Sequence, residues 1–345
     1  MTAPGRHHEL WSLTHARLHT LLRQRCLLPR HSRILLAVSG GQDSLCLARL
    51  LIDMQPKWQW SLAIVHCDHR WRTDSAANAT HVMRLADRWQ IPAQVEVATV
   101  PPLSEAAART WRYETLAAVA RAQSYSYVVT GHTASDRAET ALYNLLRGTG
   151  LEGIGALPWQ RSLDSLSPRI GLVRPLLAFS RQETAQFCQQ QQLSVWQDSS
   201  NDDLSFRRNR IRHELLPYLR EHFNPQVERT LAQTAEVIAA DVAYLEAQAT
   251  ELYAQVVVEA IAADGRREWA MSCGILRTTP LSLQRRVARQ VLQQALPHPP
   301  HFQQVEKLVR LMKAPNGSRT DTFPGGYTAQ VRGLTVWLGS LEEML

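Results

Sequence analysis

The chain has 345 residues, 45% of them hydrophobic and 20% charged, which is enough for two domains with substantial cores. Its formal net charge is +7 and its pI about 9.4; the positive charge is nearly all arginine, since Lys57, Lys307 and Lys313 are the only lysines, and guanidinium groups suit bidentate phosphate recognition and stacking on bases. No apolar run approaches the ~18 residues of a transmembrane helix, and the isolated Cys26, Cys46, Cys67, Cys188 and Cys273 argue against a disulfide framework, a zinc site or an iron–sulfur cluster and for the cytoplasm.

Residues 1–30 carry scattered His and Arg, with Leu10, Leu13, Leu18, Leu21 and Leu22 at helical spacing. This pattern predicts an opening amphipathic helix rather than a signal peptide. The apolar, partly β-branched run at 33–38 reads as a buried strand, and 43–54, with Leu45, Leu47, Leu50 and Leu51, as a helix. Strands follow at 62–65, 94–97 and 127–130, alternating with helices near 75–90, 104–122 and 135–147. Such alternation specifies an α/β fold with a parallel sheet covered on both faces, and ligands then sit beyond the C-terminal ends of the strands.

A loop rich in Ser, Pro and Gly at about 148–171 precedes a short strand at 172–176, a helix at 181–191 and a strongly basic helix at 207–216 with Pro217 close to its end. Asn224-Pro225 is a boundary signal. The expected division is therefore 1–224, with its core at about 30–220, and a mainly helical 225–345. Within 225–345 a single long helix should run from 226 to about 259, with further helices near 280–295 and 301–313 and a hairpin around Pro324-Gly325-Gly326.

Ser39-Gly40-Gly41-Gln42-Asp43-Ser44 joins the first strand to its helix. Two glycines let the backbone turn sharply and leave N–H groups uncovered. The following helix aims its positive dipole end and unpaired donors into the same space, which makes a phosphate or pyrophosphate site. Ser39 and Ser44 add hydroxyl donors, and Asp43 is placed to hold a divalent cation against the phosphates. Neither G-x-x-x-x-G-K-[ST] nor G-x-G-x-x-G is present, so this is not a kinase-type P-loop or a dinucleotide fingerprint.

Asp136 and Glu139 lie three apart where 131–140 enters a helix, so both carboxylates can face the cleft on the first turn. They satisfy the helix dipole there, and equally could hold Mg²⁺ or receive an amine. His66, Asp68 and His69 form a weak metal signal without a third spaced ligand; a loop beside a nucleotide base suits them better. Arg109 and Arg112 share a helix face, with Glu105 an i,i+4 partner for Arg109. Arg207, Arg208, Arg210 and Arg212 put four arginines into six residues, more than solubility requires, which favours a phosphate backbone or an anionic substrate.

The loop at 39–44 resembles the PP-loop of the N-type ATP pyrophosphatases, which transfer AMP and hold the departing pyrophosphate. With it, His66-x-x-His69-x-x-Arg72, Glu105-Ala106, Arg112-Tyr113, Thr130-Gly131-His132 through Leu146-Arg147-Gly148, Arg174-Pro175-Leu176-Leu177, Trp196-x-Asp198-x-Ser200-Asn201 and Arg208-Asn209-x-Ile211-Arg212 occur in the order and spacing of one family. The chain resembles the tRNA(Ile)-lysidine synthetases, strongly over about 30–220 and more weakly over 225–340. Thr133, Ser135 and Arg137 depart from a family pattern in which His, Asp and Gln are common, leaving carboxylate duty to Asp136 and Glu139.

The resemblance implies a parallel-sheet PP-loop (adenine nucleotide alpha hydrolase-like) domain and a mainly helical tRNA-binding domain. It implies that ATP with Mg²⁺, L-lysine and a tRNA(Ile) with anticodon CAU react at cytidine 34 through an adenylated base. Ser39, Gly40, Gly41, Gln42, Asp43 and Ser44 would hold ATP and pyrophosphate, with Asp43 and Asp136 on Mg²⁺. Arg112 would steady the phosphates or the adenylated base, and His132 would act as a base. Asp136 and Glu139 would receive the lysine α-amine and Arg208 its carboxylate, while Arg207, Arg210, Arg212, Arg285 and Arg286 would meet tRNA. A homodimer is compatible with this reading. The rivals are a tRNA-thiolating PP-loop enzyme, against which isolated cysteines count, and a non-catalytic module that binds ATP and RNA.

Overall fold

The computed structural model describes residues 11–163, 169–197, 203–261 and 265–340; Asp198, Ser200 and Asn201 lie outside the described residues. The fold consists of two compact units, Met1–Ala239 and Ala240–Leu345.

The first unit opens with helix α1 (Leu13–Gln24), capped by Ser12 and burying Leu18 and Leu22. Strands β1 (Arg33–Ala37), β2 (Ser61–Asp68), β3 (Ala93–Val97) and β4 (Tyr127–Thr130) then alternate with α2 (Gln42–Trp58), α3 (Ser75–Trp89) and α4 (Glu105–Ala122). Helices α5 (Ala134–Leu146) and α6 (Gly150–Ile154), strands β5 (Gln160–Ser162) and β6 (Gly171–Val173) and helix α7 (Arg181–Gln190) follow. The sheet order is β3-β2-β1-β4-β6-β5, parallel except that β5 is antiparallel to β6.

Strand alternation sorts the side chains. Ile34, Leu36, Leu62, Ile64, Val129 and Val173 pack with α1, α2, α3 and α7 on one face. Leu35, Ala63, Val65, Val128 and Leu172 pack with Leu116, Val119 and Ala120 of α4 on the other. Each such Leu, Ile or Val contributes about 1.5–3 kcal/mol on burial. Both faces are covered, which is why these strands read as apolar runs. From β1 the chain builds outward through β2 to β3, then returns to add β4 beside β1. The C-terminal ends of β1 and β4 therefore flank a topological switch point, the usual ligand crevice of such a sheet.

The helix expected at 207–216 forms and runs on to 222, with a π turn inside it and αR dihedrals at both junctions. Helix α8 (Arg207–Arg210) passes through a single π turn (Ile211–Leu215) into α9 (Leu216–His222). Pro217 directly follows the π turn, within the helical run and not near its end as expected, where the interrupted i→i−4 ladder accommodates its missing N–H. The expected strand at 172–176 stops at Val173, because Pro175 cannot donate to the ladder.

Helix α10 (Val227–Val256) runs across the division between the units. It ends before the expected 259, since Val257 and Val258 begin strand β7 (Val257–Ile261), where β-branched side chains are better accommodated. The second unit then adds β8 (Arg267–Ser272), α11 (Cys273–Leu276), α12 (Leu281–Ala295), α13 (Phe302–Leu311), β9 (Tyr327–Arg332) and β10 (Thr335–Ser340). Sequence reading expected one hairpin; the structure has a four-stranded antiparallel sheet, β7-β8-β10-β9. The hairpin of β9 and β10 turns at Gly333, while Gly325 and Gly326 make a separate tight turn bridging Phe323 to Tyr327. Trp269, Met271, Val287, Val291, Leu308, Val336 and Leu338 form the core of this unit.

Candidate functional site

The phosphate loop is built by the turn out of β1. Gly40 has φ +87°, and a Cβ there would lie 2.4 Å from Asn78 Oδ1, so only glycine fits. Asn78 Nδ2 donates to the Ser39 carbonyl at 3.0 Å. Ser44 Oγ accepts from Ser39 N–H at 3.1 Å and donates to the Gly41 carbonyl at 2.8 Å. Gly41 is the N-cap of α2 and supplies no side-chain cap, so the first N–H groups of the helix stay available to an anion. Gln42 turns its side chain away, donating to the Arg181 carbonyl at 2.7 Å and to Thr184 Oγ1 at 2.8 Å. Only its backbone is left for a phosphate.

Across the crevice, Thr133 and Asp136 form the capping box of α5: Asp136 Oδ2 accepts from Thr133 N–H at 2.8 Å and from its hydroxyl at 3.0 Å. Capping uses one carboxylate oxygen and leaves Oδ1 facing the crevice. The three departures from the family pattern thus have structural partners. Thr133 is the cap, Ser135 donates to Glu228 at 2.8 Å, and Arg137 pairs with Glu236 at 2.9 Å and donates to the Leu157 carbonyl.

Asp43, Asp136 and Glu139 converge on one cation, Arg181 at the start of α7. Its guanidinium reaches Asp43 Oδ2 at 3.3 Å, Asp136 Oδ1 at 2.9 Å and Glu139 Oε1 at 3.0 Å. Thr184 Oγ1 also donates to Asp43. Glu139 is only 1% exposed and takes two further guanidiniums, Arg212 at 2.8 and 3.0 Å and Arg208 at 3.3 Å. Arg208 also donates to Thr140 Oγ1 at 3.1 Å. The cluster is an alternating lattice of three carboxylates and three guanidiniums.

That lattice sets the protonation states. Burial alone would raise Asp136, but Arg181, His132 and Arg208 outweigh it and hold its pKa at about 2. Asp43 is pushed up, by burial first and by Asp136, against the pull of Arg181. His132, half-buried with Nδ1 2.8 Å from Thr130 Oγ1, falls well below the usual histidine range. Burial is the main cause, Asp136 opposes it, and Arg174, Arg112 and Arg208 reinforce it. It is a neutral imidazole at pH 7.

Of the residues picked from sequence, Asp43, Asp136, Glu139, Arg208 and His132 come together here, with Arg112 acting on His132. Arg212, expected on tRNA, instead holds Glu139. Arg286 is buried and pairs with Glu246 at 2.9 Å, whereas Arg285 pairs with Glu306 at 2.6 Å beside Phe302. Arg207 and Arg210 are exposed. His66 is no metal ligand; it ties β2 to β1 through the Val38 carbonyl at 2.8 Å. Beyond β2 and β3 lies a cavity of about 570 Å³ lined by Asp68, Arg70, Arg72, Ser75, Val95 and Val97.

Sequence reading missed Arg181. A cation at the first position of a helix opposes the dipole and must be compensated from outside that helix. That conflict was the available signal.

Asp43 and Asp136 are hard oxygen donors that fit Mg²⁺. Among the described residues no group of three or more His, Cys, Asp or Glu forms a metal cage.

Fold and site together define a PP-loop nucleotide-binding protein, and the PP-loop domain family profile matches residues 12–219. The tRNA(Ile)-lysidine synthase of Nostoc sp. is 53% identical over 97% of this chain and 99% of its own, and that of Synechocystis sp. 50% identical over 94% and 96%. The chain belongs to the tRNA(Ile)-lysidine synthase family. Among solved structures, the U34-tRNA thiolase NcsA from Methanococcus maripaludis superposes with a TM-score of 0.54 at 14% identity, covering 65% of this chain and 78% of that one, a likeness of fold alone.

Proposed function

We propose that this protein is an ATP-dependent ligase that joins L-lysine to C2 of cytidine 34 in a tRNA(Ile) bearing the CAU anticodon. The observation that carries the reading is the meeting of the phosphate loop with the Asp43–Asp136–Glu139 cluster and Arg208 at the switch point, in a chain of this family. The C2 oxygen of cytosine attacks the α-phosphate of ATP, and pyrophosphate leaves. The ε-amine of lysine then attacks C2, and AMP leaves. The first step turns a poor leaving oxygen into a good one.

The Ser39 and Ser44 hydroxyls and the N–H groups of Gly40, Gly41 and Gln42 receive the departing pyrophosphate. Asp43 and Asp136 would hold Mg²⁺, which would supply charge neutralisation at the phosphates. The cavity beyond β2 and β3 takes the adenine. Asp136 and Glu139 receive the lysine α-amine, whose ammonium replaces a guanidinium N–H of Arg181, and Arg208 takes the carboxylate. Arg112 steadies the adenylated base. The lysine ε-ammonium, with a pKa near ~10.4, must lose a proton before attack, and the neutral His132 offers Nε2 as acceptor. Arg207, Arg210 and Arg285 meet the tRNA. An unpaired anticodon base leaves its stack at low cost. Among the described residues no helix is long and apolar enough to cross a membrane, and the reaction belongs in the cytoplasm.

The test incubates the protein with ATP, Mg²⁺, labelled lysine and a CAU-anticodon tRNA(Ile) transcript. Label should enter the tRNA, vanish when C34 is changed, and fall at least about 100-fold in Asp43→Ala and Arg208→Ala, the scale of losing charge stabilisation at a reacting centre. Normal turnover in both variants would sink the residue assignments, and no label in wild type would sink the reaction.

A further inference from the structure

A second cationic centre lies along the second and third turns of α4, on the sheet face opposite α2. The guanidinium carbons of Arg109 and Arg112 sit 5.3 and 5.6 Å from the Tyr113 ring centroid, and that of Arg161 in β5 sits 5.0 Å away. Arg174, 1% exposed, acts on Tyr113, Arg109 and Arg161 from below. Its Nη1 donates to the Pro158 carbonyl at 2.9 Å and its guanidinium also lies against the Tyr113 hydroxyl, while its buried Nε has no acceptor.

No carboxylate among the described residues pairs with any of the four arginines, and Arg109 makes no ion pair with Glu105. Four like charges around one ring repel one another, and aromatic faces offset this only in part. The buried Arg174 Nε, without an acceptor, adds to the cost. An oxyanion placed among the four guanidiniums would relieve that repulsion and give the buried Arg174 Nε a partner.

We propose that Arg109, Arg112, Arg161 and Arg174 bind a phosphodiester of the RNA substrate next to the reacting nucleotide. The inference rests on the proposed reaction for the identity of the RNA. The phosphate loop is a separate element, at the N-terminus of α2. Arg109 and Arg161 are exposed, so the bound anion continues outward as a chain would. Trp71, 44% exposed, and Trp111 flank His69 with their planes inclined at 48° and 71° to the imidazole, and the exposed Trp71 ring offers a face on which a neighbouring base can stack. Phosphate chemistry alone would also admit the nucleotide, so the test separates the two sources.

The double variant Arg109→Gln/Arg161→Gln, checked by its melting temperature, is compared with wild type for binding a CAU anticodon stem-loop RNA across a KCl series and for binding ATP. Without these two guanidiniums, RNA binding should weaken about tenfold or more, and the slope of log K against log[KCl] should become shallower by roughly 1 for each phosphate no longer neutralised. ATP affinity should be unchanged. An unchanged slope and RNA affinity would overturn the proposal, and so would lost ATP affinity with RNA binding intact, which would assign the cluster to the nucleotide. Because the readout is binding, it stands apart from lysine transfer: wild type that binds RNA with the arginine-dependent slope but transfers no lysine would sink the reaction and leave the phosphate site.

Discussion

Arg181 is the residue on which the site turns, because it alone contacts all three carboxylates of the cluster. Its guanidinium is the largest attractive contribution holding Asp136 at about pKa 2. Arg181→Gln should therefore raise the Asp136 pKa, move the acid limb of the lysine-transfer profile to higher pH and lower kcat about tenfold or more. Arg181→Lys should recover part of the shift by restoring one charge without the planar fork. A pH–rate profile of the two variants checks this, and an unmoved acid limb would assign Arg181 a packing role only. Glu139 carries the complementary risk. Buried beneath three guanidiniums, it cannot be removed without leaving uncompensated charge, a loss of about 3–5 kcal/mol. Glu139→Ala should melt far below wild type, and equal thermal stability would contradict the lattice.

The elements owe their placement to close approaches of backbone. A Cβ on Gly131 would come within 2.8 Å of the Asp43 backbone and 2.9 Å of Ser44 N, so the end of β4 presses directly on the first turn of α2. Gly131→Ala must displace that turn. We expect a cost of about 1–3 kcal/mol from overpacking and a parallel loss of ATP affinity, because the phosphate donors sit on the displaced backbone. Calorimetric melting and ATP titration of the variant check both, and unaltered ATP affinity would mean that the loop tolerates the shift. Strands β1 to β4 and helices α2 to α5 were legible in the sequence because their apolar spacing is local and continuous. Strands β5, β7 and β8 were not. The first has three exposed residues. Of the others, β8 is stabilised by the distant β10 and by burial of Trp269, and β7 pairs in turn with β8. Pattern reading has no access to such partners.

At the scale of the molecule, folding holds His66, His69 and His132 below the ordinary value of 6.5, chiefly through burial. The unfolded chain therefore binds protons at these sites as pH falls through 6.5, while the folded protein does not yet do so. Where the unfolded state holds more protons, stability rises with pH, so stability is lost as pH falls below about 6.5 and continues to be lost until the folded histidines titrate. The melting temperature should be lower at pH 5.5 than at pH 7.5, and a flat profile would show that these rings charge freely in the native state.

The sequence by itself determined the parallel α/β class, the phosphate loop at the first strand–helix turn and the family, because each is written in contiguous residues whose chemistry is local. It also named Asp43, Asp136, Glu139 and Arg208. Only the tertiary structure decided how these groups meet. It made Arg181 the shared counter-ion, turned Arg212 and Arg286 inward to Glu139 and Glu246, and gathered Arg109, Arg112, Arg161 and Arg174 around Tyr113. Charges interact through space, and the distances between them are set by how helices and strands far apart in the chain pack against one sheet.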